Sequence, residues 1–131
     1  MVINPKDYSV IVIEDESFLS KILAERLEDE GFNRVDVAGN GEEGLQKIKD
    51  TPPDIILLDM ILPKLNGFEV LEQLNADEKL KHIPVLVLSN LGQDSDIEQA
   101  KNLGAVDYIV KSNLSMQKVI ESIYSALEKV N

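Results

Sequence analysis

The sequence predicts an α/β fold in which helices cover both faces of a parallel β-sheet. Short β-branched apolar runs alternate with longer amphipathic segments along all 131 residues. The run over 55–59 is apolar on both faces, as is typical of a central strand buried on two sides. Because the connections between these segments are short, right-handed crossovers should place the helices on both faces of the sheet.

The first two β–α units carry clear start and stop signals. A strand is predicted over 8–14 and a helix over 17–30, which should end at Gly31 because glycine accepts the left-handed C-cap conformation. The apolar stripe of this helix consists of Leu19, Ile22, Leu23 and Leu27. The second strand is predicted over 33–38, and Asn40 should cap the second helix, which two consecutive prolines end.

The third and fourth units follow the same pattern. After the strand over 55–59, Asn66-Gly67 could form a hairpin turn, but the helical spacing of the next apolar residues favours Asn66 as an N-cap. A buried strand is predicted over 84–89, followed by a short helix over 95–103.

The last unit comprises a strand over 107–110 and a final helix that opens at Ser115. The apolar stripe predicted for this helix consists of Val119, Ile120, Ile123, Leu127 and Val130.

The composition excludes several classes of function. A formal net charge of -11 argues against direct nucleic acid binding, which needs clustered lysine and arginine; it suits a protein partner, or simple solubility. The absence of cysteine excludes disulfides and thiolate metal sites, and a reducing cytoplasm is the expected compartment. No apolar stretch is long enough to cross a membrane, and the N-terminus lacks a secretory signal pattern.

Five polar residues lie at or just after predicted strand ends, namely Glu14, Asp15, Asp59, Ser89 and Lys111. Because the carboxyl ends of parallel strands meet at one edge of a sheet, these side chains should converge there. Crowded carboxylates repel one another and resist full ionisation, whereas a hard divalent cation with oxygen ligands relieves that repulsion. The sequence therefore predicts a magnesium site at this edge.

The segments VIVIEDE, ILLDMILPKLNGFEVL, IPVLVLS and GAVDYIVKS, in this order, resemble the receiver domain of two-component response regulators. The resemblance implies a doubly wound, flavodoxin-like sheet of five parallel strands in the order 2-1-3-4-5 with five helices. It also implies that residues 1–131 form a single receiver domain without an effector domain.

The resemblance assigns roles to the residues at the strand ends. Asp59 would accept the phosphoryl group, and Lys111 would supply a second positive charge beside Mg²⁺. The ion would be held by Asp15 and Asp59, by Glu14 directly or through water, and by the backbone carbonyl of Ile61. The domain would catalyse its own phosphorylation and slow dephosphorylation while acting mainly as a signalling switch.

The implied output is a population shift. The Ser89 hydroxyl would donate to a new phosphoryl oxygen, and Tyr108 would swing inward as Ser89 moves, although a half-exposed edge-strand aromatic is the plainer interpretation of Tyr108. The face made by the fourth helix, fifth strand and fifth helix would then bind or release a protein partner or fused effector. The resemblance also allows a homodimer that forms on phosphorylation.

The implied donor is a phosphohistidine on a sensor kinase or phosphotransfer protein. Phe18 lies at the start of the first helix, where such donors dock in this family, although the neighbouring Leu19 and Ile22 fit the core equally well. The only histidine, His82, precedes a proline in a polar loop and is interpreted as a surface residue.

Several residues depart from the usual receiver pattern. Ser112 follows Lys111 where the family generally has a cis proline, and Asn90 stands where a small alanine is common. Ile61 and Leu91 occupy the positions that flank the phosphoryl group, and neither can orient an attacking water. This predicts a long-lived phosphoryl state.

Three alternatives compete with this interpretation. A pseudo-receiver would bind proteins without phosphorylation, but it could dispense with the acids that are present here. An aspartyl-phosphate hydrolase of the haloacid dehalogenase type has a second aspartate two residues after the nucleophile, where this chain has Ile61. A flavodoxin-like redox protein would need a phosphate-binding loop after the first strand, and the acidic segment EDESF would repel a phosphate.

Overall fold

A computed structural model describes residues 2–130 and contains a five-stranded parallel sheet in the order β2-β1-β3-β4-β5. The strands are β1 (Ser9–Ile13), β2 (Arg34–Ala38), β3 (Ile55–Leu58), β4 (Val85–Ser89) and β5 (Asp107–Val110). The predicted fold class and strand order are both confirmed.

The helices alternate with the strands, as predicted. They are α1 (Ser17–Glu30), α2 (Gly41–Asp50), α3 (Gly67–Asn75), α4 (Asp94–Asn102) and α5 (Met116–Val130). Short 3₁₀ turns at Pro5–Asp7 and Lys111–Asn113 precede β1 and follow β5. Within residues 2–130, no helix combines the length and apolar character that a membrane crossing requires.

The helix boundaries follow from the capping residues. Gly31 ends α1 with φ at 100°, a left-handed conformation in which a side chain would be strained. The Asn40 side chain accepts from the backbone N–H of Glu43, and Asn66 forms a reciprocal capping box with Glu69. These contacts satisfy backbone donors that would otherwise be unpaired, so the predicted and observed helix starts agree within one residue.

Two apolar layers bury the faces of the sheet. Along β1, Val10 and Val12 pack in the layer that contains α1 and α5 residues, while Ile11 and Ile13 pack in the layer that contains α2 and α3 residues. The prediction for the last residue of the α5 stripe is wrong, because Val130 is 54% exposed. It lies in the final turn of α5, where no further turn of helix covers it.

The parallel register brings the strand ends to one edge. Ile13 pairs with Leu58 across β1 and β3, and Ser89 pairs with Val110 across β4 and β5. The backbone N–H of Asp59 donates to the carbonyl of Ile13 at 3.0 Å, so strand-like pairing continues one residue beyond β3. The residues that immediately follow β1 and β3 are therefore neighbours, and those that follow β5 lie at the same edge, beyond β4.

Candidate functional site

The structure brings three carboxylates together at the carboxyl edge of the sheet. Oxygens of Glu14, Asp15 and Asp59 all lie within 4.8 Å of one another. Glu14 and Asp59 are buried, whereas Asp15 is exposed and makes no side-chain hydrogen bond or ion pair within the described part of the chain. The cluster thus combines two buried anions with one that is free to bind a cation.

Lys111 extends from the end of β5 into this cluster. Its Nζ lies 2.8 Å from Glu14 Oε1, 2.8 Å from Glu16 Oε2 and 3.0 Å from Asp59 Oδ2. No cis peptide bond occurs in residues 2–130, so the Lys111–Ser112 bond is trans and Lys111 instead opens the 3₁₀ turn. The lysine reaches the acidic cluster with a serine, Ser112, and no proline after it.

Two backbone N–H groups hold the buried carboxylates in place. The N–H of Ile61 donates to Asp59 Oδ1 at 3.2 Å, and the N–H of Glu16 donates to Glu14 Oε2 at 3.1 Å. Each of these carboxylates therefore has one oxygen on the backbone and the other on Lys111. Such fixed geometry favours positioning of a reacting oxygen.

The electrostatics of the site show a shortage of positive charge. Burial raises the pKa of Glu14 to about 7, and the nearby Asp59 acts in the same direction, against the hydrogen bond from Lys111. Burial would lower the pKa of Lys111, but hydrogen bonds to Glu14, Glu16 and Asp59 outweigh it and raise that pKa. Lys111 therefore stays protonated, yet it does not fully compensate the carboxylates.

The residues present fit a hard divalent cation. Carboxylate oxygens are the ligands that Mg²⁺ prefers in proteins, and a cation would relieve the repulsion between Glu14 and Asp59. The exposed Asp15 also leaves an open side through which waters and a ligand could complete an octahedral shell. The predicted fourth ligand, the backbone carbonyl of Ile61, stays a prediction.

Ser89 and Tyr108 belong to a second group beside the cluster. Ser89 is fully buried at the end of β4, and its Oγ accepts from the N–H of Leu91 at 3.4 Å. The half-buried Tyr108 packs against the core and donates its hydroxyl to the Leu91 carbonyl. Burial raises the pKa of Tyr108, and the Ser89 hydroxyl acts in the opposite direction. Within residues 2–130, no hydrogen bond joins Ser89 to Asp59 or Lys111.

The structure also locates the residues predicted near the rim. Phe18 is 78% exposed at the start of α1, Ile61 is exposed beside Asp59, and His82 is exposed as predicted. Leu19 is half-buried and packs against the core layer, so Phe18 presents the larger apolar surface of these two residues. Docking at Phe18 stays a prediction.

Sequence reasoning missed Glu16, which contacts Lys111 across 95 positions of sequence. The only signal available was a third acidic residue in the run Glu14-Asp15-Glu16. A run of three acids does not reveal which side chain turns towards a lysine that arrives from another strand.

Comparisons with known proteins agree with this geometry. Residues 10–124 match the family model described as the response regulator receiver domain. Chemotaxis protein CheY of Treponema pallidum is 35% identical over 95% of this chain and 86% of its own length. A Myxococcus xanthus protein-glutamate methylesterase/protein-glutamine glutaminase is 39% identical over 93% of this chain, but only 35% of its own length. The Francisella response regulator 1452 receiver domain shares the fold, with a TM-score of 0.87, 24% identity and coverage of 95% of this chain and 99% of that chain.

Proposed function

This chain belongs to the response regulator receiver family of two-component signalling, and we propose that it accepts a phosphoryl group on Asp59 and switches partner binding in response. One observation carries the proposal: the buried Asp59 carboxylate is one of three clustered oxygen ligands and also contacts the Lys111 ammonium, whose side chain is only 9% exposed. With a cation held by those ligands, positive charge would lie on two sides of an oxygen that would face an anionic donor.

The transfer step balances without any change of protonation on the acceptor. An oxygen of Asp59 attacks phosphorus and an O–P bond forms, while the P–N bond of a donor phosphohistidine breaks and its electron pair goes to the ring nitrogen; with a proton on the other ring nitrogen, the donor leaves as a neutral imidazole. The Ile61 N–H and the Lys111 ammonium orient the attacking carboxylate beforehand. Positioning and countercharge then supply most of the rate enhancement.

Glu14, Asp15 and Asp59 would hold a Mg²⁺ ion, together with the Ile61 carbonyl. When bound, that ion supplies charge neutralisation to the phosphoryl oxygens. Lys111 contributes a second, fixed positive charge from the carboxyl end of β5, because its ammonium already contacts Asp59.

The output rests on Ser89 and Tyr108. A phosphoryl group adds charge and strong acceptor oxygens, which would draw Ser89 and Lys111 inward. Tyr108 hydrogen-bonds to the Leu91 carbonyl, two residues beyond Ser89, so movement of this loop would be felt by Tyr108 on the α4-β5-α5 face. That face would bind or release a protein partner, a fused effector or a second copy of the domain.

The donor would be a sensor histidine kinase or a phosphotransfer protein, with Phe18 as an apolar contact near the acidic cluster. Such signalling would take place in the cytoplasm. The Treponema relative is covered for 86% of its length and the Myxococcus relative for 35%, so relatives carry this domain both as most of a protein and as a part of a larger one. Residues 1–131 are proposed as one receiver domain.

The decisive experiment incubates the protein with acetyl phosphate and Mg²⁺ and measures the intact mass. Wild type should gain the mass of one phosphoryl group, and Asp59→Asn should not, because its amide is a far weaker nucleophile. Asp54→Asn is a matched control, since Asp54 bonds to Ser9 at the opposite end of the sheet. No mass gain in the wild type would refute the proposal and favour the pseudo-receiver.

A further inference from the structure

We propose that Glu16 is a positioning residue that restrains Lys111 in the resting protein and competes with the phosphoryl group for an ammonium N–H. This inference rests on the proposed function, and it deepens it by identifying a residue that sets how readily the site accepts phosphoryl. Glu16 acts through Lys111 and does not itself bind metal or phosphoryl in this scheme.

The hydrogen-bond donors of Lys111 are all in use. A lysine ammonium has three N–H groups and no acceptor. Lys111 Nζ lies within 3.0 Å of one oxygen each from Glu14, Glu16 and Asp59, so its donors are all engaged in the resting arrangement. A phosphoryl oxygen on Asp59 can therefore gain a hydrogen bond from Lys111 only if one carboxylate gives up its place.

The three carboxylates that contact Lys111 differ in how easily they can release it. The Glu14 and Asp59 side chains are 2% and 5% exposed, and each also accepts from a backbone N–H. The Glu16 side chain is 59% exposed and contacts only Lys111 within residues 2–130. Water can replace that contact at little cost, because exposed ion pairs are weak. Glu16 is thus the partner that is released.

Glu16 occupies the N-cap position of α1 without capping the helix. Its side chain makes no capping hydrogen bond, whereas Asn40 and Asn66 cap α2 and α3 with theirs. Glutamate is not among the preferred N-cap residues, so the Glu16 side chain is left available to a more distant partner. Its contact with Lys111 joins the start of α1 to the end of β5, 95 positions away in the sequence.

The exchange itself needs no proton transfer. As the O–P bond forms on Asp59, one N–H of Lys111 turns from the Glu16 carboxylate to a phosphoryl oxygen, and the carboxylate turns to water. Removing the Glu16 contact should therefore favour the arrangement in which Lys111 donates to a phosphoryl oxygen.

The test measures the binding of beryllofluoride by calorimetry at saturating Mg²⁺. Beryllofluoride bonds to a carboxylate oxygen and presents fluorides in place of phosphoryl oxygens. Glu16→Gln should tighten binding about twofold to fivefold, the range expected from the loss of an exposed ion pair. Glu16→Asp keeps the charge but shortens the side chain by one methylene, and an aspartate at an N-cap would turn to the helix backbone. It should therefore show a gain of the same kind.

Glu42→Gln is the matched control, because Glu42 is an exposed acid after β2 at the same edge of the sheet and has no contact with Lys111. It should bind like the wild type. A gain for Glu16→Gln that Glu42→Gln equals, or that Glu16→Asp fails to share, would assign the effect to overall charge and overturn the inference. If all variants and the wild type bind beryllofluoride equally well, the inference about Glu16 is overturned and the proposed function is not. If the wild type fails to bind beryllofluoride, the proposed function is overturned as well.

Discussion

Replacement of Gly67 by alanine should disturb both the fold and the acceptor, because Gly67 begins α3 directly beneath the Asp59–Met60 backbone. A Cβ at Gly67 would lie 2.5 Å from the Asp59 carbonyl oxygen and 2.5 Å from Met60 Cα. The shortest ordinary van der Waals contact is about 3.4 Å, so the two segments must separate by roughly 0.9 Å. Both contacts are with backbone, which cannot rotate away as a flexible side chain could.

This displacement sets the expected magnitudes. Overpacking of a tightly packed region costs about 1–3 kcal/mol, and the better helix propensity of alanine offsets about 1 kcal/mol of that at most. A shift of about 1 Å in a reacting group can slow a reaction by about a hundredfold. We therefore expect Gly67→Ala to lower the free energy of unfolding by about 1–2 kcal/mol and to slow phosphorylation by acetyl phosphate by tenfold to about a hundredfold.

The assays are urea denaturation and the time course of intact mass with acetyl phosphate and Mg²⁺. Gly39→Ala is the control, because a Cβ at Gly39 meets nothing within 4 Å. Its free energy of unfolding should stay within about 0.5 kcal/mol of wild type. A Gly67→Ala protein with wild-type stability and a wild-type phosphorylation rate would refute the reasoning.

The remaining predictions use other parts of the site and fold. Ile61→Asn should shorten the lifetime of the acyl phosphate, because an amide beside Asp59 can orient a water that an isoleucine cannot; an unchanged or slower decay would contradict this. Mg²⁺ at about 100 times its dissociation constant should add about 2.7 kcal/mol to the free energy of unfolding. Asp15→Asn should need a higher Mg²⁺ concentration for the same rise in the midpoint temperature of thermal unfolding. An unchanged Mg²⁺ requirement would show that Asp15 is not a ligand. Asn66→Ala breaks the capping box of α3 and should lower the free energy of unfolding, measured with denaturant, by about 1 kcal/mol. A loss smaller than the error of measurement would mean that the cap does not stabilise the protein.

The fold could be predicted to within about a residue wherever a local signal exists. Asn40, Asn66 and Gly31 mark helix ends through contacts made within a few residues, so the sequence alone contains the needed information. The strand order is different, because it depends on pairing between distant segments, and here it came from the resemblance of the whole chain to receivers. Val130 fits the helical period but lies in the last turn of α5, and periodicity does not show where the covering layer ends.

The site was predictable to the extent that topology fixes it. Parallel strands deliver their terminal residues to one edge, which explains why Glu14, Asp59 and Lys111 meet. The side-chain directions within the acidic run were not predictable in the same way. Glu14 turns into the core, Asp15 turns to solvent, and Glu16 reaches Lys111, because the chain there leaves β1 and turns into α1.

The charge of the site explains why metal and phosphoryl should be coupled. Three carboxylates contact the Lys111 ammonium, a fourth, that of Asp15, lies beside two of them, and burial already raises the pKa of Glu14 to about 7. A phosphoryl dianion entering beside Asp59 would add to this excess of negative charge, and the single charge of Lys111, which three carboxylates already share, is too small to offset it. Phosphorylation should therefore depend on a bound divalent cation even when the donor is a small molecule that needs no docking surface. Substantial labelling of the wild type by acetyl phosphate in the presence of excess EDTA would contradict this coupling.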